Sequence, residues 1–188
     1  MSALPNRSMM SVDDYLRLEY ESGDLRYEYI DGLVTMLAGG TLDHATIMLN
    51  VASILRTRLR SQTCRVFSSD ARVRLSESRY VYPDITISCD TRDRGKVDTI
   101  QSPRVVIEVL SPSTEDYDRG RKFNYYRACP TIQEYILVNT DFRGIEVCRR
   151  EQHDLWSFHI FHAGDDLAIS SIDMSFPVKA VYEDVEFA

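Results

Sequence analysis

The stretch RVVIEVL, residues 104–110, is an apolar run broken by one carboxylate, Glu108. Such a run predicts a strand covered on both faces. Alternation puts Val106 and Leu110 on the face of Glu108, and Ile107 and Val109 on the other. An unpaired carboxylate in that setting is costly, so Glu108 needs a cation, a hydrogen-bond network or a raised pKa. A salt bridge to a nearby arginine is the plainer alternative.

Upstream, YVYPDITISC (residues 80–89) reads as a second strand entered at Pro83. Tyr82, Asp84, Thr86 and Ser88 share one face; Ile85, Ile87 and Cys89 share the other. If this strand pairs with RVVIEVL, Asp84 and Glu108 meet across the sheet. Two carboxylates, completed by water and phosphate, are a common way to hold magnesium. Taken alone, Asp84 also reads as a turn or capping residue. Downstream, Lys122 is one of three lysines in a chain with nineteen arginines. It falls on a helix with Asp118, Arg119, Tyr125 and Tyr126 as neighbours at i±3 and i±4. Its ammonium could orient or deprotonate a metal-associated water, or screen phosphate charge. A surface pair with Asp118 is the alternative.

Around this centre the chain reads as alternating elements. Ser11 and Asp14 cap a short helix ending near Gly23. Asp31-Gly32 joins two β-prone runs in a hairpin. Thr41 or Asp43 caps a helix to about Arg60, with His44 on its core-facing stripe at the N-terminus. Two β-prone stretches, roughly Cys64–Leu75 and Tyr80–Cys89, precede a polar loop (DTRDRGKVDTIQS). After RVVIEVL, Ser113 or Thr114 caps a helix to about Ala128, stopped by Pro130. EYILVNT, GIEVCRR and LWSFHIF supply further strands before an acidic tail. The order predicts a single α/β domain over residues 1–188, a mixed sheet flanked by helices.

Charge is unevenly spread. The net charge is −7, yet residues 151–188 hold eight acids against one base, and residues 1–150 balance. Within the neutral part, Arg56, Arg58, Arg60, Arg65, Arg72, Arg74 and Arg79 face only Asp70 and Glu77. This window reads either as a solvated face or as a surface for nucleic-acid phosphates, with Arg56, Arg72 and Arg74 as candidate contacts. The four cysteines are widely separated, which excludes a zinc ribbon and argues against a disulfide scaffold. The N-terminal residues lack the apolar run of a secretory signal, and no stretch approaches membrane-spanning length, so a cytoplasmic location is expected.

In the combination of YPD, IEVLSPST and a lysine with a nearby tyrosine on the following helix, the chain resembles the Uma-type restriction endonucleases of the PD-(D/E)XK nuclease superfamily. The likeness runs from DDYLRLEYESGDLRYEYIDG through GGTLDHATIMLNVASIL to VVIEVLSPSTEDYDRGRKFNYYRACPTIQEYILV. The resemblance implies a restriction-endonuclease-like sheet, here with an added N-terminal helix and hairpin. It also implies phosphodiester hydrolysis, in DNA, with Mg²⁺ or Mn²⁺ held by Asp84 and Glu108. Glu28 and His44 fall where relatives carry Glu and His and become candidates for the site rim. Their alternatives are a strand-surface acid and a satisfied core histidine. One departure stands out: the superfamily lysine would occupy position 110, where this chain has Leu110, so Lys122 is the candidate replacement.

The expectation is therefore a metal-dependent endonuclease acting through Asp84, Glu108 and Lys122, a homodimer by analogy. A non-catalytic binding module on a decayed nuclease fold is the alternative. A structural protein using its tyrosines and acidic tail as an interface is a further one.

Overall fold

The computed structural model describes residues 9–187, apart from 38 and 113. Helix α1 (Val12–Glu21) begins where the Ser11 side chain accepts the Asp14 N–H, satisfying one of the free donors of the first turn. Strands β1 (Tyr27–Ile30) and β2 (Leu33–Met36) form the antiparallel hairpin. Asp31 and Gly32 turn it with φ of +49° and +93°, the left-handed pair that matches strand twist. Helix α2 (Leu42–Arg58) starts at Thr41, whose side chain accepts the His44 N–H, and it buries Ile47, Val51 and Leu55.

Each of the next two β-prone stretches divides. The first becomes β3 (Arg65–Ser68) and β4 (Arg72–Ser76), and the second β5 (Arg79–Val81) and β6 (Ile85–Ser88). Pro83, with no N–H to donate, lies between β5 and β6. The expected polar loop contains a short strand, β7 (Thr99–Ile100), parallel to β4. RVVIEVL forms β8 (Pro103–Val109). The helical segment that follows is α3 (Glu115–Tyr117), a π turn (Asp118–Lys122) and α4 (Phe123–Ala128). Thr114 occupies the cap position with no side-chain capping bond, and Ser113 lies outside the described residues. Strands β9 (Glu134–Val138), β10 (Gly144–Arg150) and β11 (Trp156–His162) follow as the periodicity predicts. The acidic tail then adds a hairpin, β12 (Asp166–Ile169) and β13 (Met174–Pro177).

A six-stranded mixed sheet, β11-β10-β9-β8-β6-β3, forms the centre, and a five-stranded sheet, β2-β1-β5-β4-β7, carries the N-terminal hairpin. In the central sheet β8 and β9 run parallel, and β6 opposes β8. The faces divide as alternation predicts. Ile85, Ile87, Val105, Ile107 and Val109 pack with α2 and with tail residues such as Leu167, Phe176 and Val181. Val106 and Leu110 pack on the opposite side with Tyr126, Tyr135 and residues of β4 and β5. The tail therefore completes the main core, with Tyr182 also buried there, and its acids lie on the outside of a folded element. Cys64 and Cys89 form a disulfide, against the expectation from their spacing. The antiparallel pairing of Arg65 with Ser88 brings the residues just beyond the strand ends together.

Candidate active site

The register of β6 and β8 makes the site. Ile85 pairs with Ile107 in antiparallel sense, so Asp84 stands opposite Glu108 at the end of the strand pair. Backbone bonds fix both carboxylates: Glu108 Oε2 accepts the Asp84 N–H at 3.3 Å, and Asp84 Oδ2 accepts the Val109 N–H at 2.7 Å. Glu108 is nearly sealed from solvent, with a side chain 5% exposed, whereas that of Asp84 is 18% exposed.

Two helices close on this pair from opposite faces of the sheet. From α2, His44 Nε2 lies 3.3 Å from Asp84 Oδ2. That hydrogen bond raises the imidazole pKa against the opposing effect of burial, and a further bond to the Val109 backbone adds to it. From the other face the π turn supplies Lys122, with Nζ 3.0 Å from Glu108 Oε1. The same ammonium lies 3.3 Å from Asp118 Oδ1 and 3.4 Å from Glu28 Oε1. One cation thus sits among three buried carboxylates. Glu28 Oε1 and Asp118 Oδ1 are buried with no hydrogen bond of their own and are held by the ammonium charge. Tyr126, four residues after Lys122, donates its hydroxyl to Glu108 Oε1 at 2.6 Å.

Asp118, Lys122 and Tyr126 recur every four residues, so one helical segment, the π turn and the start of α4, presents all three on the side of Glu108. The turn is tied to the sheet through Arg119, which binds Glu115 at 2.7 Å and reaches Glu146 through a bidentate pair. Tyr135 also donates its hydroxyl to the Asp118 carbonyl at 3.1 Å. Leu110 is buried in the apolar cluster with Tyr126 and Tyr135. A lysine there would bury its charge among aromatic rings, while Lys122 reaches Glu108 from the adjoining helix.

The electrostatics follow from burial. Desolvation pushes the Glu108 carboxyl up to about 8; Lys122 opposes the shift and Asp84 and Asp118 reinforce it. Lys122 is held well above the ordinary lysine value: its burial alone would lower it, but Glu108, Glu28 and Asp118 outweigh that. Three carboxylates therefore favour the charged form of this ammonium. Burial likewise raises Tyr126, which remains a hydroxyl donor.

A divalent cation fits this donor set. Asp84 and Glu108 offer hard carboxylate oxygens at one strand end. Among the described residues no group of three or more His, Cys, Asp and Glu is arranged to hold a metal, so water and phosphate oxygens would have to complete the coordination. A cleft of about 810 Å³ opens beside Glu28, between the hairpin and the π turn, with Tyr117, Arg121 and Tyr125 on its wall.

The structure thus gathers Asp84, Glu108, Lys122, Glu28 and His44 at one place. Glu28 lies inside the charged cage, deeper than the rim position expected for it. Asp118 and Tyr126 were legible only as helical neighbours of Lys122; their signal was the i±4 spacing. The three arginines do not join them. Arg72 is only 9% exposed, and its guanidinium is engaged by Glu19 at 3.5 Å, Asp98 at 3.2 Å and Thr99 at 2.9 Å. Arg74 binds the Ser76 carbonyl and, with Arg72, lines a separate cleft beside Glu19 and Tyr80. Arg56 lies beyond the other end of β6. Arg56 stands on α2 while Arg72 and Arg74 share β4, and Arg72 is internal structure, not a free nucleic-acid contact.

Residues 12–178 match a family model described as "Uma2: Putative restriction endonuclease". Two similar sequences come from Synechocystis sp., both bearing the name "Uncharacterized protein". One, slr1290, is 33% identical over 95% of this chain and 94% of its own length. The other, sll1609, is 27% identical over 81% and 84% respectively. Among solved structures, a crystal structure titled as a "putative nuclease belonging to DUF820" from Anabaena variabilis superposes with a TM-score of 0.74 at 19% identity, covering 92% of this chain and 97% of that one. That likeness is one of fold, a mixed sheet flanked by helices. With the family model spanning both sheets and every residue of the charged cluster, the chain belongs to the Uma2 family.

Proposed function

We propose that this protein is a divalent-metal-dependent endonuclease that hydrolyses phosphodiester bonds in DNA, with Mg²⁺ or Mn²⁺ held by Asp84 and Glu108. The observation that carries the reading is the meeting of these two carboxylates at one strand end with Lys122 3.0 Å from Glu108. When bound, such a cation polarises the phosphate and lowers the pKa of the attacking water.

The chain's own residues supply the rest. Val109 N–H and Asp84 N–H hold the two carboxylates in register, so little reorganisation is needed on loading. The Lys122 ammonium stabilises negative charge that develops on the phosphate; Glu28 and Asp118 hold that ammonium in one position. His44, at the rim of the site, pairs with Asp84 and steadies that carboxylate. A homodimer, expected by analogy with restriction enzymes, would present one such centre to each strand of a duplex.

The experiment is incubation of supercoiled plasmid with the protein in Mg²⁺, Mn²⁺ or EDTA, beside Asp84→Asn. Nicking by the wild type in metal alone, and none by the variant, is the expected result. DNA affinity without cleavage under any condition would favour the non-catalytic binding module.

A further inference from the structure

A second charged site lies past the far end of β6. Asp84 precedes that strand and Cys89 follows it, so the two ends are about 16 Å apart at roughly 3.3 Å per residue. There the last turns of α2, the Cys64 region and the loop after β6 enclose a pocket of about 520 Å³. Arg56, Arg60, Arg65 and Arg94 line it.

Several arginines of the chain are neutralised by a carboxylate, and these four are not. Arg79, Arg119 and Arg149 each engage a carboxylate. Among the described residues, none of Arg56, Arg60, Arg65 and Arg94 has a carboxylate within 4 Å. Arg65 donates to the carbonyls of Gln62 and Cys64, and Arg94 to that of Thr63, contacts that orient a guanidinium without neutralising it. Arg94 Nε is buried with no hydrogen-bond partner.

The acid on the lining, Asp93, is turned away. Its carboxylate accepts Ser88 Oγ at 2.6 Å and the backbone N–H groups of Gln101 and Ser102 at 2.8 and 3.0 Å. The Cys64–Cys89 disulfide staples two walls of the pocket together. Four arginines with no carboxylate partner among the described residues thus line one pocket in a chain whose net charge is −7. Like charges so gathered repel, and an anion with several oxygens relieves the repulsion; guanidinium forks match phosphate in geometry.

We propose that this pocket binds a phosphate oxyanion, presented by a nucleic-acid backbone that passes beyond the catalytic end of the sheet. The choice of ligand rests on the DNA substrate proposed above, while binding at this pocket is measurable without cleavage.

The test uses the Asp84→Asn protein in EDTA, so that no cleavage intervenes. Anisotropy of a labelled duplex oligonucleotide is measured across a salt series, with and without Arg56→Gln/Arg60→Gln. Neither side chain has a hydrogen bond or ion pair to lose within the described residues, so the fold is not at risk; Arg94→Gln is the second variant. Arg17→Gln/Arg127→Gln removes equal charge elsewhere. In a parallel arm, inorganic phosphate is titrated calorimetrically into the same proteins. If the backbone is the ligand, the slope of log affinity against log salt falls by about two in the double pocket variant, and less in the control. Phosphate heat that vanishes in the pocket variants, with an unchanged oligonucleotide slope, supports the oxyanion site and assigns it to a free phosphate compound. Unchanged slopes together with no phosphate heat in the parent overturn the proposal.

Discussion

Asp84 and Glu108 are joined through each other's backbone: the Asp84 N–H points to Glu108 Oε2, and the N–H next to Glu108, that of Val109, points to Asp84 Oδ2. A truncation at either position therefore releases a backbone donor along with the charge. Isosteric amides are the cleaner variants.

Asp84→Asn is expected to fold because its amide retains an oxygen for the Val109 N–H. Glu108→Gln keeps the shape but turns an amide donor toward Lys122 or the Asp84 N–H, and is expected to fold with reduced stability. Each should lose Mn²⁺ binding as well as cleavage. Titration calorimetry with Mn²⁺ checks this, and wild-type affinity in both variants would remove the pair from the metal site.

The pH dependence of the metal-free protein has a definite sign. Glu108 in the folded state has a pKa of about 8, above its ordinary value of 4.5, so between these values the folded chain binds the extra proton. Stability contributed by protonated Glu108 is then lost as pH rises through that window, at no more than about 1.4 kcal/mol per pH unit for one proton. His44, also raised, adds a loss of the same sign above its ordinary value. Thermal melts in EDTA should fall from mildly acidic to mildly alkaline pH, and the fall should be shallower in Glu108→Gln. Parallel curves for the two proteins would contradict the assignment.

Lys122→Met leaves Glu28, Glu108 and Asp118 with no ammonium between them. A broken buried pair of this kind costs on the order of 3–5 kcal/mol. Adding Asp118→Asn should restore part of that stability without restoring cleavage. Chemical denaturation of the single and double variants, with a cleavage assay on each, separates the structural role from the electrostatic one. Equal stability of Lys122→Met and wild type at neutral pH would mean that the cage does not hold.

The Cys64–Cys89 disulfide closes a separation of 25 residues, which by chain entropy contributes roughly 3–4 kcal/mol. Reductant should lower the melting temperature of the wild type and leave Cys64→Ser unmoved. A wild type indifferent to reductant would show that the bond does not constrain the folded chain.

What was legible in the sequence depended on local pattern. Ser11 and Thr41 as caps, Asp31-Gly32 as a turn, and the two faces of RVVIEVL all follow from residues a few positions apart, and all appear in the fold. Period-two alternation also put Glu108 opposite Val109 in facing, and a pairing with the Asp84 strand did the rest. Features set by distant segments were hidden. Nothing near Cys64 indicates that Cys89 lies across a strand pair. The acids of the tail masked the apolar positions Leu167, Ile169 and Phe176, which complete the core. Arg72 looked like a surface charge until Glu19 and Asp98 closed around it. The Asp118–Lys122 pair followed from i,i+4 spacing, but its burial, and the approach of Glu28 from the distant hairpin, became visible only in three dimensions.

The most direct measurement is single-turnover cleavage of a labelled DNA duplex by the wild type and by Asp84→Asn, in Mg²⁺ and in EDTA. The expected result is cleavage by the wild type in Mg²⁺ alone and none by Asp84→Asn in either. Cleavage by both proteins at the same rate, or wild-type cleavage undiminished in EDTA, would contradict a hydrolytic centre built on Asp84 and Glu108.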